Sequence, residues 1–189
     1  MSQEAFIIVD FQRDFCAGGA LAVPEGDAIL PVVQSWVDRF WSSPHRIITT
    51  QDAHPSDHIS FIARGGPWPP HCIWGTPGAL LHPALSLPDG HAQFLKGQDR
   101  DREAYSGFDG FTPGSHPVSL RDYLRSQGIT RVYIAGLATD YCVRATALDA
   151  LAFGFETAII VNGVRGVDVV PGDSERALNE LVQKGAQLI

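Results

Sequence analysis

Three residues far apart in the chain could together break a carbon–nitrogen bond: a thiol, a carboxylate and an amine. Cys142 lies in Gly136-Leu137-Ala138-Thr139-Asp140-Tyr141-Cys142-Val143, between an apolar run and a helical pattern. With Thr139 as N-cap, Cys142 falls in the first helical turn, where the unpaired N–H groups and the helix dipole favour a thiolate. The same N–H groups could hold an oxyanion. The alternative for Cys142 is a small buried residue filling the gap between helix and sheet. Asp10 directly follows Phe6-Ile7-Ile8-Val9, and Lys96 directly follows Phe94-Leu95. Taken singly, these read as a turn residue and a solvated charge. As a set they are chemically coherent: the carboxylate takes the thiol proton and the ammonium stabilises the charge that forms.

A second constellation fits a cation. Asp52-Ala53-His54 continues another apolar run, and residues two apart in an extended chain point the same way. His71, held by prolines in Trp68-Pro69-Pro70-His71-Cys72, is a third ligand. Two imidazoles and a carboxylate suit one divalent ion, Zn²⁺ first and Fe²⁺ or Mn²⁺ next. His58 is either a fourth ligand or an outer contact. His82, His91, His45 and His116 show no pairing pattern and read as ordinary loop residues, and Cys16 and Cys72 read as structural.

The elements that must position these groups are legible as alternating patterns. Apolar runs at 6–9, 46–50, 92–95, 132–135 and 158–161, with a last short one at 186–189, read as buried strands. Helical patterns cover 27–41, 119–127, 140–153 and 173–184, the last three ending at Gly128, Gly154 and Gly185. This alternation predicts an α/β fold, a doubly wound, Rossmann-like, mostly parallel sheet with helices on both faces. Residues 1–189 read as one domain. Residues 53–90, rich in proline and without periodicity, form an irregular stretch carrying the metal and substrate loops.

Composition narrows the function. The net charge of −7, with 14 Lys+Arg, argues against a nucleic-acid binder and an anionic membrane surface. No run has the length of a transmembrane helix, and Met1-Ser2-Gln3-Glu4-Ala5 lacks the basic start of a signal peptide. Three cysteines far apart do not make a disulfide framework, so a cytoplasmic location is expected. Exposed loops and sheet edges would allow a homo-oligomer.

Taken in order, these residues resemble the nicotinamidase/pyrazinamidase branch of the isochorismatase-like cysteine hydrolases. The likeness runs through Ile8-Val9-Asp10-Phe11-Gln12-Arg13-Asp14-Phe15, Gly18-Gly19-Ala20-Leu21, Asp52-Ala53-His54-Pro55, His58-Ile59-Ser60-Phe61, Trp68-Pro69-Pro70-His71-Cys72, Lys96-Gly97, Ala104-Tyr105-Ser106-Gly107-Phe108 and the segment 136–143. The resemblance implies a triad of Asp10, Lys96 and Cys142, and metal ligands Asp52, His54 and His71. It also implies a cis peptide before Ala138, an oxyanion hole from the Ala138 and Cys142 N–H groups, and a flat-ring pocket walled by Phe15, Trp68 and Tyr105. The implied activity is hydrolysis of nicotinamide, with pyrazinamide as an analogue, to the acid and ammonia in NAD salvage. A relative acting on another small amide or ureido group is the alternative. Ala53 departs from the aromatic residue often found between the two ligands, and Tyr141 occupies a position that varies.

Overall fold

A computed structural model describes residues 3–41 and 46–189; His45 and the first two residues lie outside them. Six parallel strands form one sheet: β1 Gln3–Val9, β2 Arg46–Asp52, β3 Ala92–Lys96, β4 Ile129–Leu137, β5 Glu156–Arg165 and β6 Gln187–Leu188. Their order is β3-β2-β1-β4-β5-β6. Four α-helices cover it: α1 Leu30–Trp41, α2 Leu120–Ser126, α3 Arg144–Ala152 and α4 Asp173–Gln183.

β1 shows why a continuous apolar run is needed. Its alternate residues face opposite sides, and both sides are covered. Ala5, Ile7 and Val9 join the core beneath α2, α3 and α4, with Leu124, Ala147 and Leu181. Phe6 and Ile8 join the other core, with Val33, Val37 and Phe40 of α1. The spacing of those three residues puts them on one helical face.

The predicted helix at 27–41 begins as a 3₁₀ turn, Gly26–Ile29, before α1. At α2 the Ser119 side chain caps the Asp122 N–H, so Ser119 is the cap and not the first helical residue. β5 outruns its predicted end because it bulges. Ile134 pairs with Ile159, but Gly136 pairs with Val164, so three extra residues within 160–163 are absorbed in the strand.

The strand order reverses between β1 and β4. In open parallel sheets, the crevice at the carboxyl ends beside such a reversal is where ligands bind. Gly136 allows the two strands to meet there. Its φ is +124°, and a Cβ would lie 2.0 Å from the Val9 carbonyl oxygen.

Candidate active site

The tips of β1, β2, β3 and β4 deliver one charged cluster. Asp10 leaves β1 with φ +46° and is fully buried. Its backbone N–H bonds to the Thr50 carbonyl (3.1 Å), and the Thr50 hydroxyl donates to Asp10 Oδ1 (2.7 Å). The other oxygen, Oδ2, lies 2.9 Å from Lys96 Nζ. Lys96, at the end of β3 and 1% exposed, also pairs with Asp52 Oδ1 and donates to the Ala104 carbonyl (3.0 Å). Its Nζ lies 3.6 Å from Cys142 Sγ. Oxygens of Asp10 and Asp52 and the Cys142 sulfur all lie within 4.8 Å of one another. The structure therefore brings together the three residues the sequence singled out.

The helix start differs from expectation. Thr139 is not an N-cap; it is the buried first residue of a π-helical turn, Thr139–Val143, that leads into α3. The residue before the turn is Ala138, extended and preceded by a cis Leu137–Ala138 peptide. The Val143 N–H reaches back to the Ala138 carbonyl (3.1 Å), the five-residue span of a π turn.

The electrostatics also depart from the helix-dipole reading. Burial pushes the Cys142 thiol well above its usual range, although Lys96 pulls it down. Burial likewise raises the Asp10 carboxyl, with Lys96 offsetting only part of the effect. For Asp52, burial acts upward too, but Lys96 and His54 outweigh it and hold the acid well down. Desolvation works against the Lys96 charge, yet Asp10 and Asp52 keep the ammonium firmly protonated. Burial therefore works against a thiolate here, and the Lys96 ammonium is the group that works for it.

The cation constellation assembles beside this cluster. Donor atoms of Asp52, His54 and His71 lie within 4.8 Å of one another, and all three residues are buried. His54 Nδ1 donates to the Gly97 carbonyl (2.9 Å), and His71 Nδ1 donates to the Pro69 carbonyl (2.8 Å). These bonds fix the tautomers and leave each Nε2 as a lone-pair donor. Gly97 is required here, since a Cβ would fall 2.4 Å from the His54 ring. His58 is engaged at both nitrogens. Nε2 donates to the Arg102 carbonyl (3.0 Å), Nδ1 accepts from the Ser60 hydroxyl (2.7 Å), and the ring stacks on His54 at 4.0 Å. It is an outer contact in this arrangement, not a fourth ligand. The donor set of two Nε2 atoms and one carboxylate, with His54 Nε2 already 3.5 Å from Asp52 Oδ2, fits a divalent ion such as Zn²⁺.

The irregular stretch is stitched to the strand tips. Gln12 accepts from the Asp52 N–H and donates to the Asp52 and Ala79 carbonyls, each at 2.8 Å. Asp14 accepts from the Cys72 N–H (2.7 Å), and His54 exchanges backbone bonds with Cys72 and Trp74. These ties carry His71 to the site.

A pocket opens over Cys142. Phe15, Trp68 and Tyr105 all line it, as the sequence suggested. Phe15 packs on His71 at 5.5 Å, and Trp68 Nε1 donates to the Tyr105 hydroxyl (3.0 Å). Sequence reasoning missed Tyr141, which packs edge-on against Trp68 at 5.0 Å and lines the same pocket. Its place immediately before Cys142 was the available signal. Leu21, Ser60, Glu103 and Val167 were also missed; they come from loops with no distinguishing pattern. Thr50 and Gln12, which hold Asp10 and Asp52, were legible only as polar residues at strand ends. His82, read as unpaired, in fact meets Asp27 at 3.1 Å.

A parallel α/β scaffold that gathers a thiol, a carboxylate and an ammonium at its strand tips defines a hydrolase of the nucleophilic-cysteine class. The chain belongs to the isochorismatase family: residues 4–189 match its domain model. It is 41% identical to the nicotinamidase of Escherichia coli over 100% of this chain and 95% of that one. The pyrazinamidase of Pyrococcus horikoshii, solved in complex with zinc, superposes with a TM-score of 0.90 at 48% identity, covering 99% of this chain and 98% of that one. The L. infantum PnC1 structure, in complex with nicotinate, gives 0.89 at 35% identity, covering 100% and 92%. Among the described residues, no helix is long and apolar enough to cross a membrane.

Proposed function

We propose that this chain is a metal-dependent nicotinamidase, hydrolysing nicotinamide, and pyrazinamide in the same way, to the acid and ammonia within NAD salvage. The observation that carries the reading is the position of Lys96 Nζ, 2.9 Å from Asp10 and 3.6 Å from Cys142 Sγ, with that sulfur lining an aromatic pocket. Asp52, His54 and His71 would hold the divalent ion, Zn²⁺. When bound, it supplies a Lewis-acid anchor for the ring nitrogen of the substrate.

Phe15 and Trp68, with Tyr105, hold the faces of the ring and direct the carboxamide toward Cys142. Asp10 takes the thiol proton as the sulfur attacks the carboxamide carbon. Lys96 keeps the sulfur and the two acids from repelling one another. The backbone N–H groups of Ala138 and Cys142 receive the developing oxyanion. Asp10 returns its proton to the departing nitrogen, ammonia leaves, and a thioester remains on Cys142. Asp10 then takes a proton from water, whose oxygen attacks the thioester; the C–S bond breaks, nicotinate leaves, and Asp10 returns the proton to the Cys142 sulfur.

The three cysteines are free, which supports a reducing, cytoplasmic setting. The chain acts as one domain, and exposed sheet edges leave room for a homo-oligomer.

Ammonia release from nicotinamide by the zinc-loaded enzyme tests the reading. Turnover of nicotinamide well above that of carbamoyl or ureido compounds is expected. No ammonia from nicotinamide, with turnover of a ureido compound instead, would replace it with the related-hydrolase alternative.

A further inference from the structure

A second set of donors lies outside the catalytic pocket. Cys16, Asp27 and His82 come from the loop after β1, the approach to α1 and the irregular stretch, yet their donor atoms lie within 4.8 Å of one another. Cys16 is buried and forms no disulfide. Asp27 Oδ2 accepts from the Ala17 N–H (2.7 Å), which ties that carboxylate to the cysteine loop. His82 Nε2 meets Asp27 Oδ1 at 3.1 Å, and its ring stacks flat on Phe11 at 4.8 Å. The His82 backbone N–H is bonded to the Phe11 carbonyl (2.8 Å). Asp27 and His82 are thus fixed before any ligand arrives, and Cys16 is held by its burial. An open hollow, lined also by Gly18 and Pro83, adjoins all three and leaves room for water to complete a coordination sphere.

We infer that Cys16, Asp27 and His82 form a second divalent-cation site, selective for a thiophilic or borderline ion such as Zn²⁺. A thiolate, an imidazole and a carboxylate with one position left for water is a tetrahedral donor set. Binding displaces the Cys16 proton to solvent and makes His82 Nε2 a lone-pair donor. The ring proton shifts to Nδ1, at the expense of two hydrogen bonds, the one from the Ala84 N–H (3.2 Å) and the one from Nε2 to Asp27 Oδ1 (3.1 Å). The ion would clamp the irregular stretch to the entrance of α1. Because Cys16 adjoins Phe15, which lines the catalytic pocket, occupancy would also stiffen that wall.

The test is metal stoichiometry of the tag-free full chain, equilibrated with buffered Zn²⁺ and measured by elemental analysis. Two equivalents are expected in the wild type and in Cys142→Ala. One is expected in Cys16→Ser and in His82→Asn, with circular dichroism unchanged. Loading Co²⁺ into Cys142→Ala should give a thiolate-to-cobalt band in the near ultraviolet that disappears in the Cys16→Ser double variant. A single equivalent in the wild type overturns the inference, as does retention of two equivalents in Cys16→Ser. If Cys16→Ser does not fold, His82→Asn and the cobalt band of Cys142→Ala decide, and absence of that band overturns it.

Discussion

The strand tips and the irregular stretch 53–90 build facing sides of one pocket, with different physics. Asp10, Asp52, Lys96 and Cys142 are set by the sheet: each lies at or just beyond the end of a strand whose register is fixed by its neighbours. Trp68 and His71 have no regular element behind them. They are held by side chains that reach across, Gln12 to Asp52 and Ala79, and Asp14 to the Cys72 N–H. In the proposed reaction the tips carry charge and proton transfer, where small displacements are costly. The loop would supply ring contact and two of the three metal ligands, His54 and His71. Rigid scaffolds commonly divide labour with loops in this way.

Variants can separate the two sides. Cys142→Ala should lower kcat by roughly 10⁴-fold or more in a steady-state ammonia assay while leaving bound metal unchanged, since the nucleophile acts as a unit with its base. Asp10→Asn should cost about 10²–10⁴-fold in kcat, the usual range for a positioned base, with KM little altered. Lys96→Met should also lower thermal stability by about 3–5 kcal/mol, because it leaves two buried carboxylates facing each other without a cation. On the loop side, His71→Asn should reduce zinc content and raise KM, read by elemental analysis and kinetics. Trp68→Ala should raise KM by about 10-fold, in keeping with roughly 0.5–1.5 kcal/mol of ring contact beyond buried area. A Trp68 or His71 variant that lost kcat at unchanged KM and metal content would break the division between tip and loop.

The sequence disclosed the tips more fully than the loop, for a physical reason. A charged residue ending a doubly buried apolar run, as at Asp10 and Lys96, has few structural explanations, and the run itself fixes where it points. The helix beginning was read less well. Thr139 has the side chain of a cap, but the chain turns through a π-helical segment that no side-chain pattern marks. The upward pull of burial on the Cys142 thiol was not legible either, because burial is a property of the assembled pocket and the dipole argument sees only the local helix. Loop contacts such as Tyr141 against Trp68, His58 against Ser60 and His82 against Asp27 depend on long-range closure that leaves no periodic trace.

The covalent step is the centre of the mechanism, and acid quenching during turnover tests it directly. Zinc-loaded enzyme is mixed with nicotinamide, quenched within one turnover, and analysed by peptide mass spectrometry. A nicotinoyl group on the peptide carrying Cys142, absent from Cys142→Ala, is the expected result. Steady ammonia release by Cys142→Ala at near wild-type rate, with no acylated peptide at any quench time, would contradict it and point to direct attack by water.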